Sequence, residues 1–229
     1  MMITCYVLTG ICLISSLVTA MAYTNRRKYI SPTAKLVASA CFILIALFCN
    51  FTNDNSGSYG MMIFAALVCG LVGDILLMVK EFFEGKDSVY FLVMGILAFA
   101  IGHIIYTARF IMLADHFRFW LLPILAITPI LMITMMRLGM LKIGKLAPVM
   151  FAYSGILGMT FMATLNLVLD THSQLSYLVL AASLSFLLSD AALCMDYFGH
   201  ESLRRVTNYV VMPFYFMAQV LFAFSIALV

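Results

Sequence analysis

Eight apolar stretches run through the chain, near 3–24, 31–51, 59–79, 88–110, 119–136, 146–168, 175–198 and 206–228. Each approaches the length of about 20 residues that carries an α-helix across the hydrocarbon core of a bilayer. In lipid a spanning segment must satisfy its own backbone hydrogen bonds, which a helix does and an isolated strand does not. With 65% of its 229 residues hydrophobic and only 10% charged, the sequence also lacks the polar groups needed to cover a soluble domain. The expected fold is therefore all-α and integral to the membrane, a single transmembrane domain of eight helices over residues 1–229.

The first stretch has no basic n-region and no small-residue cleavage site, and NRRK (25–28) follows it directly. That pattern predicts a retained helix rather than a signal peptide. Arg26, Arg27 and Lys28 assign the turn after it to the cytoplasm. Alternate turns carry Lys80 and Lys86, then Arg137, Lys142 and Lys145, then Arg204 and Arg205, which with the first three makes ten of the 13 basic residues. The opposite turns hold Arg109 and Arg118, while Lys35 lies just inside the second helix. Both termini are expected outside the cytoplasm.

The net charge of +3 is thus an orientation signal, and without a basic tail or an aromatic-interleaved patch it gives no footing for nucleic acid. Cys5, Cys12, Cys41, Cys49, Cys69 and Cys194 are scattered through the helices with no CxxC and no metal-ligand spacing, so they read as small buried apolar residues.

The two halves share a register. "GLVGDILLMVKEFF" (70–83) and "FLLSDAALCMDYF" (186–198) align with Asp74 on Asp190, Leu77 on Leu193 and Phe82 on Phe198, all offset by 116 residues. Pro32 falls on Pro148 and His103 on Gln219 at the same offset. Four helices per half make corresponding helices run the same way, which predicts two parallel repeats, about 1–115 and 116–229. Asp74 and Asp190 then lie at similar depth in the cytoplasmic half, within about 10 Å of its edge, and halves packed face to face would let them share a cavity.

An Asp at the middle of a membrane helix costs about 2.5–3.5 kcal/mol on insertion scales, so it should face a polar interior. One reading makes each Asp an interhelical tie, to a neighbouring helix or to Lys35. The other is chemical. Two carboxyls in one cavity of low dielectric resist ionising together, leaving one as a proton donor and the other as an anion. Acid-catalysed cleavage of acetal-like ethers divides labour in this way: the acid protonates, and the carboxylate stabilises an oxocarbenium ion or activates water. Lys35, Tyr153 and Tyr215 are candidates to line such a cavity. His103, Tyr106 and Gln219 lie deeper, and His103 suits a wall or an orienting contact better than a proton partner. No GxSxG, HExxH or Walker-type loop occurs, so serine lipases, zinc proteases and nucleotide-driven pumps lack their hardware.

"GLVGDILLM" followed by "FFEGK" and "IGHIIY", then "FLLSDAALCMDYF" and "YFMAQ", resemble the lysoplasmalogenase, or YhhN-like, family over about Pro32 to Gln219. The resemblance implies a membrane hydrolase that cleaves the vinyl ether bond of a lysoplasmalogen, a lysophospholipid, releasing a fatty aldehyde and a glycerophospho-base without metal or organic cofactor. It implies catalytic roles for Asp74 and Asp190, which match the family's GD and SD motifs. His103 with Tyr106 match its His-x-x-Tyr, and Tyr215 with Gln219 its last helix. The family keeps Lys and Pro close together, whereas here Pro32 precedes Lys35 by three residues. The chain is expected among the lipids of a bacterial inner membrane. Two other classes fit the residues: a proton-coupled carrier of small molecules or lipids, which would move its solute unchanged, and a lipid sensor without turnover.

Tags at both termini are expected to be reached from outside the cytoplasm, and Lys142→Cys to be labelled by impermeant reagent only from inside. A cytoplasmic tag at Val229 would invert this orientation.

Overall fold

A computed structural model describes residues 2–25, 30–200 and 204–229. Eight α-helices occupy them: α1 Met2–Thr24, α2 Ile30–Thr52, α3 Gly57–Lys80, α4 Gly85–Leu113, α5 Ile124–Arg137, α6 Ala147–Thr171, α7 Gln174–Phe198 and α8 Arg204–Ser225. Among the described residues there is no strand. All eight segments are long and apolar enough to cross a membrane, the fifth counted from Phe119. Of the residues that set the expected orientation, Arg26, Arg27 and Lys28 lie outside the described residues, as do the side chains of Arg204 and Arg205.

Every pair of consecutive helices except α4 and α5 packs closely together, and specific contacts fix the ends of the bundle. The Tyr6 ring sits 6.2 Å from that of Phe224. The Asn53 amide donates to the carbonyls of Ile226 and Val229 at 2.8 and 3.1 Å. Both termini therefore share one end of the bundle with the turn between α2 and α3. At the other end the Lys142 N–H donates to the Phe198 carbonyl at 2.8 Å, bringing the turn after α5 to the end of α7.

Besides the hairpin neighbours, α4 packs on α6, and α8 packs on α1 and α2, so the last helix closes against the first two. The outlier is α5. Sequence predicts one helix over 119–136, but the structure has a 3₁₀ turn at Phe119–Leu121 and starts the α-helix at Ile124. Pro123 stands at the N-cap and Pro129 inside the helix. A proline has no N–H to donate and a fixed φ, so it suits a helix start and interrupts a continuous run. Met132 is the buried residue of α5, whose other contacts with protein are chiefly with α6, including the Thr128 hydroxyl donating to the Ser154 carbonyl at 2.7 Å.

The long connection after α4 is tied to the end of α6. The Asp170 carboxylate accepts from the backbone N–H groups of Asp115 and His116 at 2.7 and 3.3 Å and from Arg118 at 3.2 Å. Asn166 accepts from the Arg118 N–H at 2.9 Å and donates to the His116 carbonyl at 3.0 Å.

Between α3 and α4 there is no driving force from water inside a bilayer, so close backbone approach must supply the packing. A Cβ on Gly102 would lie 3.0 Å from the Ala66 carbonyl oxygen, and one on Gly73 would lie 2.7 Å from the Phe99 ring. The absence of both side chains lets the helices meet and sets Phe99 where it is. Gly102→Val is expected to force them apart and to lower the thermal midpoint in detergent, in line with the about 1–3 kcal/mol typical of overpacking. An unchanged midpoint would mean that this contact carries no weight.

Candidate active site

Helical spacing prepares the site. Lys35 and Ser39 are four residues apart on α2, as are Tyr215 and Gln219 on α8, so each pair lies on one face. Both faces converge on Asp74 of α3, which is 1% exposed. The Lys35 ammonium lies 3.1 Å from its Oδ1. The Ser39 hydroxyl and the Tyr215 hydroxyl each donate to its Oδ2 at 2.7 Å. Behind Tyr215 the donors continue in one direction: the Gln219 amide donates to the Tyr215 hydroxyl at 3.0 Å, and the Tyr106 hydroxyl donates to Gln219 Oε1 at 3.4 Å. Asp74 is the terminal acceptor of that chain and accepts from three side chains, the arrangement that suits an ionised carboxylate.

Asp190 of α7 is placed differently. It is half-buried, and Tyr153 of α6 donates to its Oδ2. No ammonium lies within ion-pair distance of it among the described residues.

The two aspartates line one cavity between α1, α2, α3, α4, α7 and α8, along with Lys35, Phe99 and Tyr215. It lies toward the end of the bundle opposite the termini, where Tyr23, Ser31, Glu81 and Tyr197 also line it. Of the residues singled out from sequence, Asp74, Asp190, Lys35 and Tyr215 meet here. Tyr153 reaches the cavity through its bond to Asp190, while Gln219 and Tyr106 connect to it through Tyr215.

His103 is not among the lining residues. Its Nδ1 is 3.1 Å from the Thr160 hydroxyl, itself 2.9 Å from that of Thr107, and the Phe186 ring packs 4.2 Å away. Phe186 in turn lies 5.5 Å from the Tyr215 ring, so His103 touches the site through an aromatic neighbour.

Sequence reasoning passed over Ser39, Ser189 and Asp196. Ser39 had a signal, since it lies one helical turn from Lys35 on the same face. Asp196 is buried beside the cavity and accepts from Thr207 at 3.3 Å, but its place two residues before the end of α7 resembles an interfacial charge. Ser189 donates to the Val211 carbonyl at 3.0 Å, tying α7 to α8 where both line the cavity. Among the described residues no three His, Cys, Asp or Glu side chains are grouped to hold a metal ion.

Asp74 is thus an interhelical tie between α2, α3 and α8, and Asp190 is one between α6 and α7, but neither tie accounts for both carboxyls facing one cavity. Fold and site together define a multi-pass integral membrane protein with an unequal pair of carboxyls facing one internal cavity. The chain belongs to the YhhN family, whose model matches residues 30–226, a range that includes both aspartates and every partner named for them. Comparison with curated proteins and with solved structures returned no match.

Removing one partner of a buried ion pair leaves an uncompensated charge, at a typical cost of about 3–5 kcal/mol. Lys35→Met is therefore expected to lower the thermal midpoint more than the double variant Lys35→Met/Asp74→Asn does. Equal losses would mean that Lys35 does not neutralise Asp74.

Proposed function

We propose that this protein is a lysoplasmalogenase of a bacterial inner membrane, built as two parallel four-helix repeats, that hydrolyses the vinyl ether bond of lysoplasmalogen drawn from the surrounding lipid. The observation that carries the reading is the unequal surroundings of two carboxyls on one cavity. Asp74 accepts from Lys35, Ser39 and Tyr215, whereas Asp190 accepts from Tyr153 and reaches the cavity half-buried. Family membership supports the same reading.

In this mechanism Asp190 is the general acid. Its carboxyl gives a proton to the outer carbon of the vinyl ether, and the electrons of the carbon–carbon double bond form the new C–H bond. The ether oxygen shares the resulting positive charge as an oxocarbenium ion. Asp74 faces that charge as a fixed anion, held in place before the reaction begins, which is how charge stabilisation in a dry site is most effective. Water then adds to the oxocarbenium carbon and gives its proton to the Asp190 carboxylate, restoring the acid. The hemiacetal so formed collapses as its hydroxyl proton leaves and the glycerol oxygen takes one up, yielding aldehyde and alcohol.

Lys35 is the counterion of Asp74, Tyr153 positions Asp190, and the chain Tyr215–Gln219–Tyr106 keeps donors pointed at Asp74. His103 backs the aromatic wall through Phe186. The 116-residue offset between the aspartates supports both the repeat and the assignment of roles. At that offset Phe151 corresponds to Lys35, Gly155 to Ser39 and Phe99 to Tyr215, so each donor to Asp74 has a counterpart with no polar side chain.

Purified protein in detergent is expected to release aldehyde from lysoplasmalogen and not from its saturated-ether or ester analogues, since an alkyl ether has no carbon to protonate and an ester needs a different attack. Asp74→Asn and Asp190→Asn should each lower turnover at least about a hundredfold in folded protein, the scale of a lost charge stabiliser for Asp74 and of a lost general acid for Asp190. Near-normal turnover in either variant removes that residue from the mechanism. A solute carried unchanged across liposomes without aldehyde release would replace the hydrolase by a transporter.

A further inference from the structure

Asp190 stands in a partition between two hollows. The first is the cavity it shares with Asp74. The second lies between α3, α4, α6 and α7, and has Leu92, Ile96, Met150, Cys194 and Phe198 on its walls. Leu77, Phe99, Asp190, Leu193 and Tyr197 border both.

The hollows differ in chemistry. The first carries the carboxylates of Asp74, Glu81 and Asp196 and the ammonium of Lys35 besides Asp190. In the second, Asp190 is the one carboxyl, and aliphatic, aromatic and sulfur side chains make up most of the wall. A polar chamber and an apolar chamber thus meet at the carboxyl assigned as the acid.

Resting on the reading of the protein as a lysoplasmalogenase, we propose that the second hollow receives the alkenyl chain of the substrate. A lysoplasmalogen has a polar glycerophospho end, then the vinyl ether, then a long apolar chain. Only one orientation matches that order to the two chambers: the glycerophospho end in the polar chamber with its cationic base facing Glu81 and Asp196, the vinyl ether at Asp190, and the chain running between α4, α6 and α7. The reverse orientation would put a hydrocarbon chain among charges and a phosphodiester against Leu92 and Ile96, with desolvation costs at both ends. Both hollows are narrow, so the lipid enters by parting their walls. Met78 and Met212 on the first and Met150 on the second are the unbranched, flexible side chains best suited to yield.

Chain selectivity follows from this placement. The second hollow must make room for the methylenes of a long chain, and filling it with protein takes that room away. Met150→Trp and Ile96→Phe are expected to lower the ratio of long-chain to short-chain kcat/KM at least about tenfold. An unchanged ratio of long-chain to short-chain kcat/KM in both variants, at equal folded protein, overturns the proposal. A second measurement needs no turnover and no substitution. A saturated-ether lysolipid with a diazirine at the end of its chain is bound to wild-type protein and photolysed, and the labelled peptides are identified. Labels on α4, α6 or α7 around Leu92, Met150 and Phe198 support the placement. Labels confined to the peptides of Thr19, Ser31 and Met212 overturn it. If the probe labels the second hollow but wild-type protein releases no aldehyde, the reaction assigned above falls and the lipid-binding hollow stands.

Discussion

The ion pair between Lys35 and Asp74 is the interaction on which the rest of the bundle depends. A carboxylate inside a membrane protein persists when opposite charge and donors surround it, and each donor to Asp74 comes from another helix. Lys35 and Ser39 fix α2 against α3, and Tyr215 fixes α8 against both. Since α8 also packs on α1, this one carboxylate draws the last helix of the chain against the first three. Inside a bilayer, where apolar contact with lipid competes with apolar contact between helices, a polar tie of this kind decides which helices meet.

The tie also creates the site. A carboxylate whose oxygens are already held by an ammonium and two hydroxyls presents a charge of fixed position. Asp190, on the far side of the cavity, has the opposite character. It keeps contact with the hollow space and has one hydroxyl, that of Tyr153, to hold its orientation. The difference between the two comes from their neighbours, since the residue is the same and its place on the helix corresponds.

The span pattern was legible because a bilayer enforces it: 20 or so apolar residues are needed whatever packs around them, and all eight segments are found where the runs predicted them. Pro123 and Pro129 were visible too, yet their effect on α5 was not read, because the apolar run continues through both and hydropathy carries no information on missing N–H donors. Asp74 and Asp190 stood out as charges with no company in the sequence. Their partners were harder to see. Ser39 is a common residue in apolar helices, and its place one helical turn from Lys35 is the one mark in the sequence that distinguishes it from others such as Ser16. The seat of His103 behind Phe186 and against Thr160 depends on how α4 meets α6 and α7, which no spacing within α4 reveals.

Phe99 shows how far a local choice reaches. Its ring meets that of Tyr215 edge to face, at 5.9 Å and 85°, and Gly73 leaves room for it by having no side chain. A hydroxyl at this position would place another donor on the wall that Asp190 shares with Asp74, and would make the surroundings of the two carboxyls more alike. The apolar ring keeps them unlike. It also borders both hollows, so the residue that keeps a donor away from Asp190 is part of the wall along which an apolar chain would lie. In the proposed mechanism, protonation of carbon and recognition of hydrocarbon place the same demand on that position, an apolar surface beside one carboxyl.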